Sequence, residues 1–172
     1  MFSELLQGRV EVPLPDPSES LLVHHAHALL QENQQLFTSI EGGHRSDSFN
    51  SLILPQSETV IEAIGHALAY SYAVKSSLPK PILDVYECAI IRCDPAWYTE
   101  QGGISRIQQR IREDEAVSSF MPHLEVYLEE LNIDKYVSAP IVSDNEWKSY
   151  LGNLPVFSGG AIPQVDHLQA SL

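Results

Sequence analysis

A chain of 172 residues has room for one domain, and a domain of that size buries roughly 70% of its unfolded surface. Its 44% apolar and 19% charged residues are the proportions of an ordinary soluble globule. Ten Lys and Arg against 23 Asp and Glu leave a formal charge of −13, which argues against nucleic acids and anionic membrane surfaces as partners and for an uncharged or cationic small molecule or a protein.

Residues 1–15 open with a short amphipathic piece followed by Val12-Pro13-Leu14-Pro15, which predicts an arm lying over the body. Asp16, Pro17 and Glu19 form a helix-start signal, with Asp16 as cap and Pro17 in the first turn. The helix they open is predicted to run to about Ile40 and to stop at Gly42-Gly43. Leu22, Ala26, Leu29, Leu30, Leu36, Phe37 and Ile40 recur at helical spacing and predict its buried stripe. Residues 43–56 read as an irregular connector rich in Ser, Asp and Asn. Ser57 is a plausible cap for a second helix over Glu58–Ser76. Its apolar residues and alanines fall on nearly all sides, so a central position is expected.

A third apolar helix is predicted over Pro81–Cys93. Asp94-Pro95 repeats the cap-and-proline signal and opens a short aromatic helix closed by Gly102-Gly103. Ser105 with Gln108 forms a capping box for a longer helix that Pro122 should divide, with the second piece ending near Asn132. Lys135–Val142 reads as extended, and Ser143 with Glu146 caps a last short helix to Gly152. The expectation is an all-α fold, a single helical-bundle domain of about six or seven helices over 16–152, with an irregular tail over 153–172. Cys88 and Cys93 are expected to be buried and reduced, since two thiols make no disulfide framework and this spacing fits no common metal motif. No stretch is apolar and long enough to span a bilayer, and no secretory leader pattern opens the chain, so a cytoplasmic setting is expected. The terminal Ala170-Ser171-Leu172 echoes a peroxisomal address without its basic middle residue.

Three sets of residues invite a chemical reading. His24, His25 and His27 raise the question of a metal. His24 and His27, however, project with Gln31, Gln34 and Gln35 onto a face opposite the leucine stripe, with no carboxylate or cysteine at ligand spacing, so no metal is expected. His25 flanks Leu29 and Leu36 at the edge of that stripe, where it either lines a pocket or serves as a hydrogen-bonded boundary residue. Glu62, His66 and Tyr70 stand at i, i+4 and i+8 and form one row: a carboxylate, an imidazole and a phenol that suit acid/base work, or a satisfied polar seam between helices. Arg45 and Asp47 follow the double glycine and form a loop ion pair or contact a polar ligand at a cavity mouth. Asp94, Trp97, Tyr98 and Glu100 cluster together. Asp94 is read as a cap, and Trp97 and Tyr98 as either a ligand wall or interhelix packing. No GxSxG, P-loop, GxGxxG, HExxH or Cys/His nucleophile pattern occurs.

Gly43-His44-Arg45-Ser46-Asp47-Ser48-Phe49-Asn50-Ser51-Leu52-Ile53-Leu54-Pro55 and Glu62-Ala63-Ile64-Gly65-His66-Ala67-Leu68-Ala69-Tyr70, with the runs Asp94–Gly103 and Ser138–Trp147, resemble the C-terminal helical region of fungal flavoproteins related to acyl-CoA dehydrogenases and oxidases. The resemblance implies a freestanding counterpart of that region, without the N-terminal helical and β-domains among which flavin and acyl-CoA lie, and so implies no flavin or other cofactor. Ala67 and Ser71 depart from the family's pattern, which places Arg after the Gly-His pair and an acidic residue after Ala-Tyr. Their small side chains imply room beside His66. Two functions follow as expectations. One is a cofactor-free enzyme of natural-product metabolism that folds an apolar metabolite for cyclisation, isomerisation or a pericyclic step, with His66, Tyr70 and Glu62 catalytic and His25, Arg45, Asp47, Trp97 and Tyr98 around the ligand. The other is a non-catalytic helical partner of a separate flavoprotein or of a second copy in a homodimer, which would expose a large apolar face.

Overall fold

Helix formation near the N-terminus starts four residues later than the Asp16-Pro17 signal predicts, for a local reason. In the computed structural model, which describes residues 2–133, 136, 144–156 and 159, Asp16 Oδ1 accepts the backbone N–H and the hydroxyl of Ser18. Its carboxylate is therefore committed to a turn closed by Glu19 N–H donating to Asp16 O at 2.9 Å. Ser20, in extended backbone, caps instead: its Oγ accepts from Val23 N–H at 3.2 Å, and helix α2 spans Leu21–Ser39.

The preceding arm is helical at its start, α1 over Phe2–Leu6, and it buries Leu5 and Leu6. It is tied down by His27, whose Nε2 donates to Pro15 O at 2.8 Å. His27 is therefore a tether, not part of a solvated face, whereas His24 is exposed as expected. Gly42 and Gly43 adopt φ of 81° and 61°, the left-handed backbone that ends α2. The connector that follows is more ordered than predicted: a 3₁₀ turn at Gly43–Arg45, a π turn at Phe49–Ile53 and a 3₁₀ turn at Leu54–Gln56. Ser46 Oγ organises it by donating to Gly43 O and accepting from Phe49 N–H. Phe49 and Ile53 are thereby buried against Leu6.

Helix α3 covers Ser57–Lys75, and Ser57 is its first residue, not its cap. It is also not central. Val60, Ala63, Ile64, Ala67 and Ser71 are buried along one side, while Ile61 and Tyr72 are exposed away from it. Its alanines are small enough to suit either environment, which made the sequence look apolar all round. Helix α4 spans Lys80–Ile91, α5 spans Pro95–Glu100 and α6 spans Arg106–Phe120. The main core joins Leu22, Val23 and Ala26 of α2 to Val60 and Ala67 of α3, Ile91 of α4 and Tyr98 of α5. Cys88 is half-buried and Cys93 exposed, both as free thiols. The expected burial of Cys93 fails because it falls just past the end of α4.

The capping box at α6 forms as predicted, Ser105 Oγ accepting from Gln108 N–H and the Gln108 side chain accepting from Ser105 N–H. Ser105→Ala should therefore lower stability by about 1 kcal/mol, readable as a shift in the urea midpoint at unchanged slope. Pro122 divides the helix through a 3₁₀ turn at Met121–His123, and α7 follows over Leu124–Leu131. Helix α8 spans Asp144–Asn153. The helices group into two compact units, residues 1–124 and 125–172, and the N-terminal arm belongs to the first. All regular elements among the described residues are helical, and no described helix is long and apolar enough to cross a membrane. The extended reading of Lys135–Val142 (Tyr136 apart), the Ser143 cap and the tail past Val156 (Gly159 apart) lie outside the described residues.

Candidate functional site

Helix α5 is too short to be stable alone, and it is held by its cap. Asp94 Oδ1 accepts from Trp97 N–H at 3.2 Å, Pro95 occupies the first turn, and the helix buries Trp97 and Tyr98 against α2. The second carboxylate oxygen is what gives this cap chemical interest. Asp94 Oδ2 lies 3.2 Å from His25 Nε2, and the other ring nitrogen, Nδ1, lies 3.2 Å from the Tyr98 hydroxyl. One assignment satisfies all three groups: the phenol donates to Nδ1, and Nε2–H donates to the carboxylate. The opposite tautomer would turn a ring lone pair toward a carboxylate.

Burial supports that assignment. Tyr98 is fully buried and His25 is 4% exposed, and the loss of hydration pushes the phenol far above its ordinary range, so it remains a donor. The same loss lowers the His25 pKa below the ordinary imidazole value, with the Asp94 hydrogen bond and charge opposing. His25 is thus neutral at pH 7. As pH falls below about 6.5, the unfolded chain takes up a proton that folded His25 resists, so stability should fall until the lower folded value is passed. The melting temperature should drop more steeply between pH 7.5 and 5 in the wild type than in a His25→Phe variant.

Asp94 also forms part of a groove between α2, α5 and the connector. This groove is about 730 Å³ in volume and is walled by Leu29, Leu36, Leu52, Ala96 and Trp97. Its polar lining includes Asp94, Glu32, Glu100 and Asn33 and contains neither Lys nor Arg. The Asp94 side chain is 29% exposed, so the Asp94–His25–Tyr98 chain reaches solvent at its carboxylate end only. The His25 ring packs at 4.6 Å from Trp97 and 4.9 Å from Tyr98, which fixes its plane. A larger groove of about 900 Å³ lies on the other side of α5, toward α4 and α6, and holds Arg92, Arg106, Arg110 and Arg112. Arg92 already pairs with Glu113 at 2.7 Å, and the four guanidinium groups are exposed, so nothing there lacks a partner that water cannot supply.

Of the residues singled out from the sequence, Trp97 lines the first groove, while His25 and Tyr98 sit behind its wall and do not face a ligand directly. The row of Glu62, His66 and Tyr70 does not come together as a relay. Glu62 is exposed, and no hydrogen bond joins the three. His66 instead meets the Tyr86 ring edge-on at 6.4 Å, Tyr70 stacks on that ring at 6.4 Å, and neither lines either groove. The reason is the one-sidedness of α3: the row runs along the margin of its buried face, against α4. Arg45 and Asp47 are exposed, form no ion pair with each other and line neither groove. Among the described residues no group of three His, Cys, Asp or Glu is placed to hold a metal. No family model, curated protein or solved structure matches the chain.

Proposed function

We propose that the chain is a cofactor-free enzyme that takes a small, largely apolar molecule into the α2–α5 groove and turns it over by cyclisation, isomerisation or a pericyclic step. The observation that carries this reading is the partly exposed Asp94 carboxylate, fixed through one oxygen by Trp97 N–H and through the other by buried His25. Such reactions need a positioned hydrogen-bonding or proton-accepting group and a shaped apolar wall more than they need a nucleophile. In this reading Asp94 accepts a proton or hydrogen bond from the substrate, His25 and Tyr98 position it, and Trp97 shapes the bound conformer. The resemblance to flavoprotein C-terminal regions supports it only in the sense that such a region, alone, leaves a former ligand-facing surface free for reuse.

The test uses mass. Rearrangements of this class conserve the molecular formula, so purified protein incubated with pooled apolar metabolites should convert one component into an isomer of identical mass and altered retention. Bound metabolites recovered unchanged after prolonged incubation would remove the catalytic reading.

A second reading, a helical subunit that docks on an acyl-CoA dehydrogenase-like flavoprotein, is favoured by helix α6. That helix turns Ala116 inward and leaves Ile107 70% and Ile111 51% exposed on the opposite side. Ile107→Asp with Ile111→Asp should abolish such docking and leave turnover in the groove unaltered.

A further inference from the structure

Helix α6 carries two seams. The inward one holds it to the body: the Gln109 amide donates to Pro95 O and Ile104 O, Glu113 accepts from Arg92, and Ala116 is buried. The outward one runs through Ile107, Arg110, Asp114, Val117 and Met121, alternating steps of three and four residues, the spacing by which one helix packs along another. All five are exposed, as is Ile111 beside them, and no ion pair among the described residues involves Arg110 or Asp114. Charge is also segregated along the helix, since Arg106, Arg110 and Arg112 precede Glu113, Asp114 and Glu115. A lone helix gains little from that order. A base in the first turn opposes the helix dipole, and Arg110 ahead of Asp114 at i+4 is the weaker arrangement of such a pair. The pattern instead makes the outward seam complementary to itself.

We infer that this seam is the contact between two copies of the chain, α6 lying antiparallel on α6 across a two-fold axis at the level of residue 112. The register follows from the residues. Such an axis sets Ile107 of one copy against Val117 of the other and Arg110 against Asp114, and symmetry makes each pair occur twice. Ile111 meets its own counterpart beside the axis. A parallel pair would instead set Arg110 on Arg110 and Asp114 on Asp114, so the charges select the direction. Charged residues within a seam fix register at a cost in strength. The contact is also small, one face of about four turns, on the scale of transient encounters. Association is therefore weak, with a dissociation constant on the order of 10–100 µM. The inference is independent of catalysis in the groove. It gives to a second copy the face that docking on a flavoprotein would need, because the seam matches its own reversed charge order.

The test is sedimentation velocity of the full chain from about 10 µM to about 1 mM, a range that brackets the expected constant. The wild type should pass from monomer toward dimer across it. Arg110→Asp and Asp114→Arg should each weaken association at least about tenfold, because each sets like charges together twice. Both positions are exposed, so either variant should keep the wild-type far-UV spectrum. An equimolar mixture of the two variants should associate as well as the wild type. In the mixed dimer one contact is the original pair and the other is the same pair reversed. An ion pair confined to one helix would give no such rescue. Ile111→Asp should abolish association, alone and in any mixture. A wild type that is monomeric at about 1 mM would overturn the inference and leave the face to a different protein. Association that survives both charge changes, or a mixture no better than its components, would put the contact elsewhere or in another register and would equally end it.

Discussion

Asp94→Asn should lower turnover by about 10²–10⁴-fold, the range for a positioned acid or base, with the protein still folded and still binding its ligand. The substitution is informative because asparagine is as good a helix cap as aspartate. The amide oxygen can keep the bond from Trp97 N–H that starts α5, now 3.2 Å from Oδ1. The other position then carries NH₂ facing His25 Nε2, where a second donor already points. The conflict at Nε2 is relieved by moving the imidazole proton: Nε2 becomes the acceptor and Nδ1–H turns to the Tyr98 oxygen, and the phenol proton then loses its acceptor, so the variant should stay folded but lose about 1–3 kcal/mol. Nitrogen-15 shifts of the His25 ring should report that switch directly, whatever the substrate. A full-rate Asp94→Asn protein with the switched tautomer would show that Asp94 serves as a cap alone. Lost activity with the switch observed is the result expected.

What was legible in the chain divides by sequence distance. Caps act over three residues, so Asp94 and Ser105 could be read from their neighbours and are found as read. Asp16 shows the limit of such reading. Its signal was as strong, but a turn through Ser18 and a cap at Ser20 compete for the same few residues, and only the folded geometry decides between them. The site depends on longer reach. His25 and Asp94 are 69 positions apart, and His25 and Tyr98 are 73 apart. Histidine at the edge of a leucine stripe and an Asp-Pro cap were each visible, yet nothing in periodicity couples them. The i, i+4, i+8 row on α3 attracted attention for the converse reason. It is a local pattern, and helical spacing brings three side chains to one side without bringing their polar atoms together.

The second large effect concerns the buried end of the chain. His25→Phe keeps a planar aromatic ring, somewhat larger, but removes both ring nitrogens, and the two former partners fare differently. Asp94 is partly exposed and retains Trp97 N–H, so water can replace what it loses. The Tyr98 hydroxyl is fully buried, has only His25 as partner, and is left with nothing. The variant should lose about 2–3 kcal/mol, most of it the cost of that stranded donor. Tyr98→Phe alone should cost less, about 1 kcal/mol, because it empties one acceptor position on a ring still held by Asp94. The combination decides the matter. With both changes no polar atom is stranded, so the double variant should be no less stable than His25→Phe, and a coupling of about 1–2 kcal/mol should appear in the cycle. Additive losses in urea unfolding would mean that the phenol finds another partner when the imidazole is gone, and that His25 is a packing residue. Coupled losses, together with the flattened pH slope of both His25→Phe proteins, would establish Asp94, His25 and Tyr98 as one hydrogen-bonded unit whose only opening is the carboxylate in the groove.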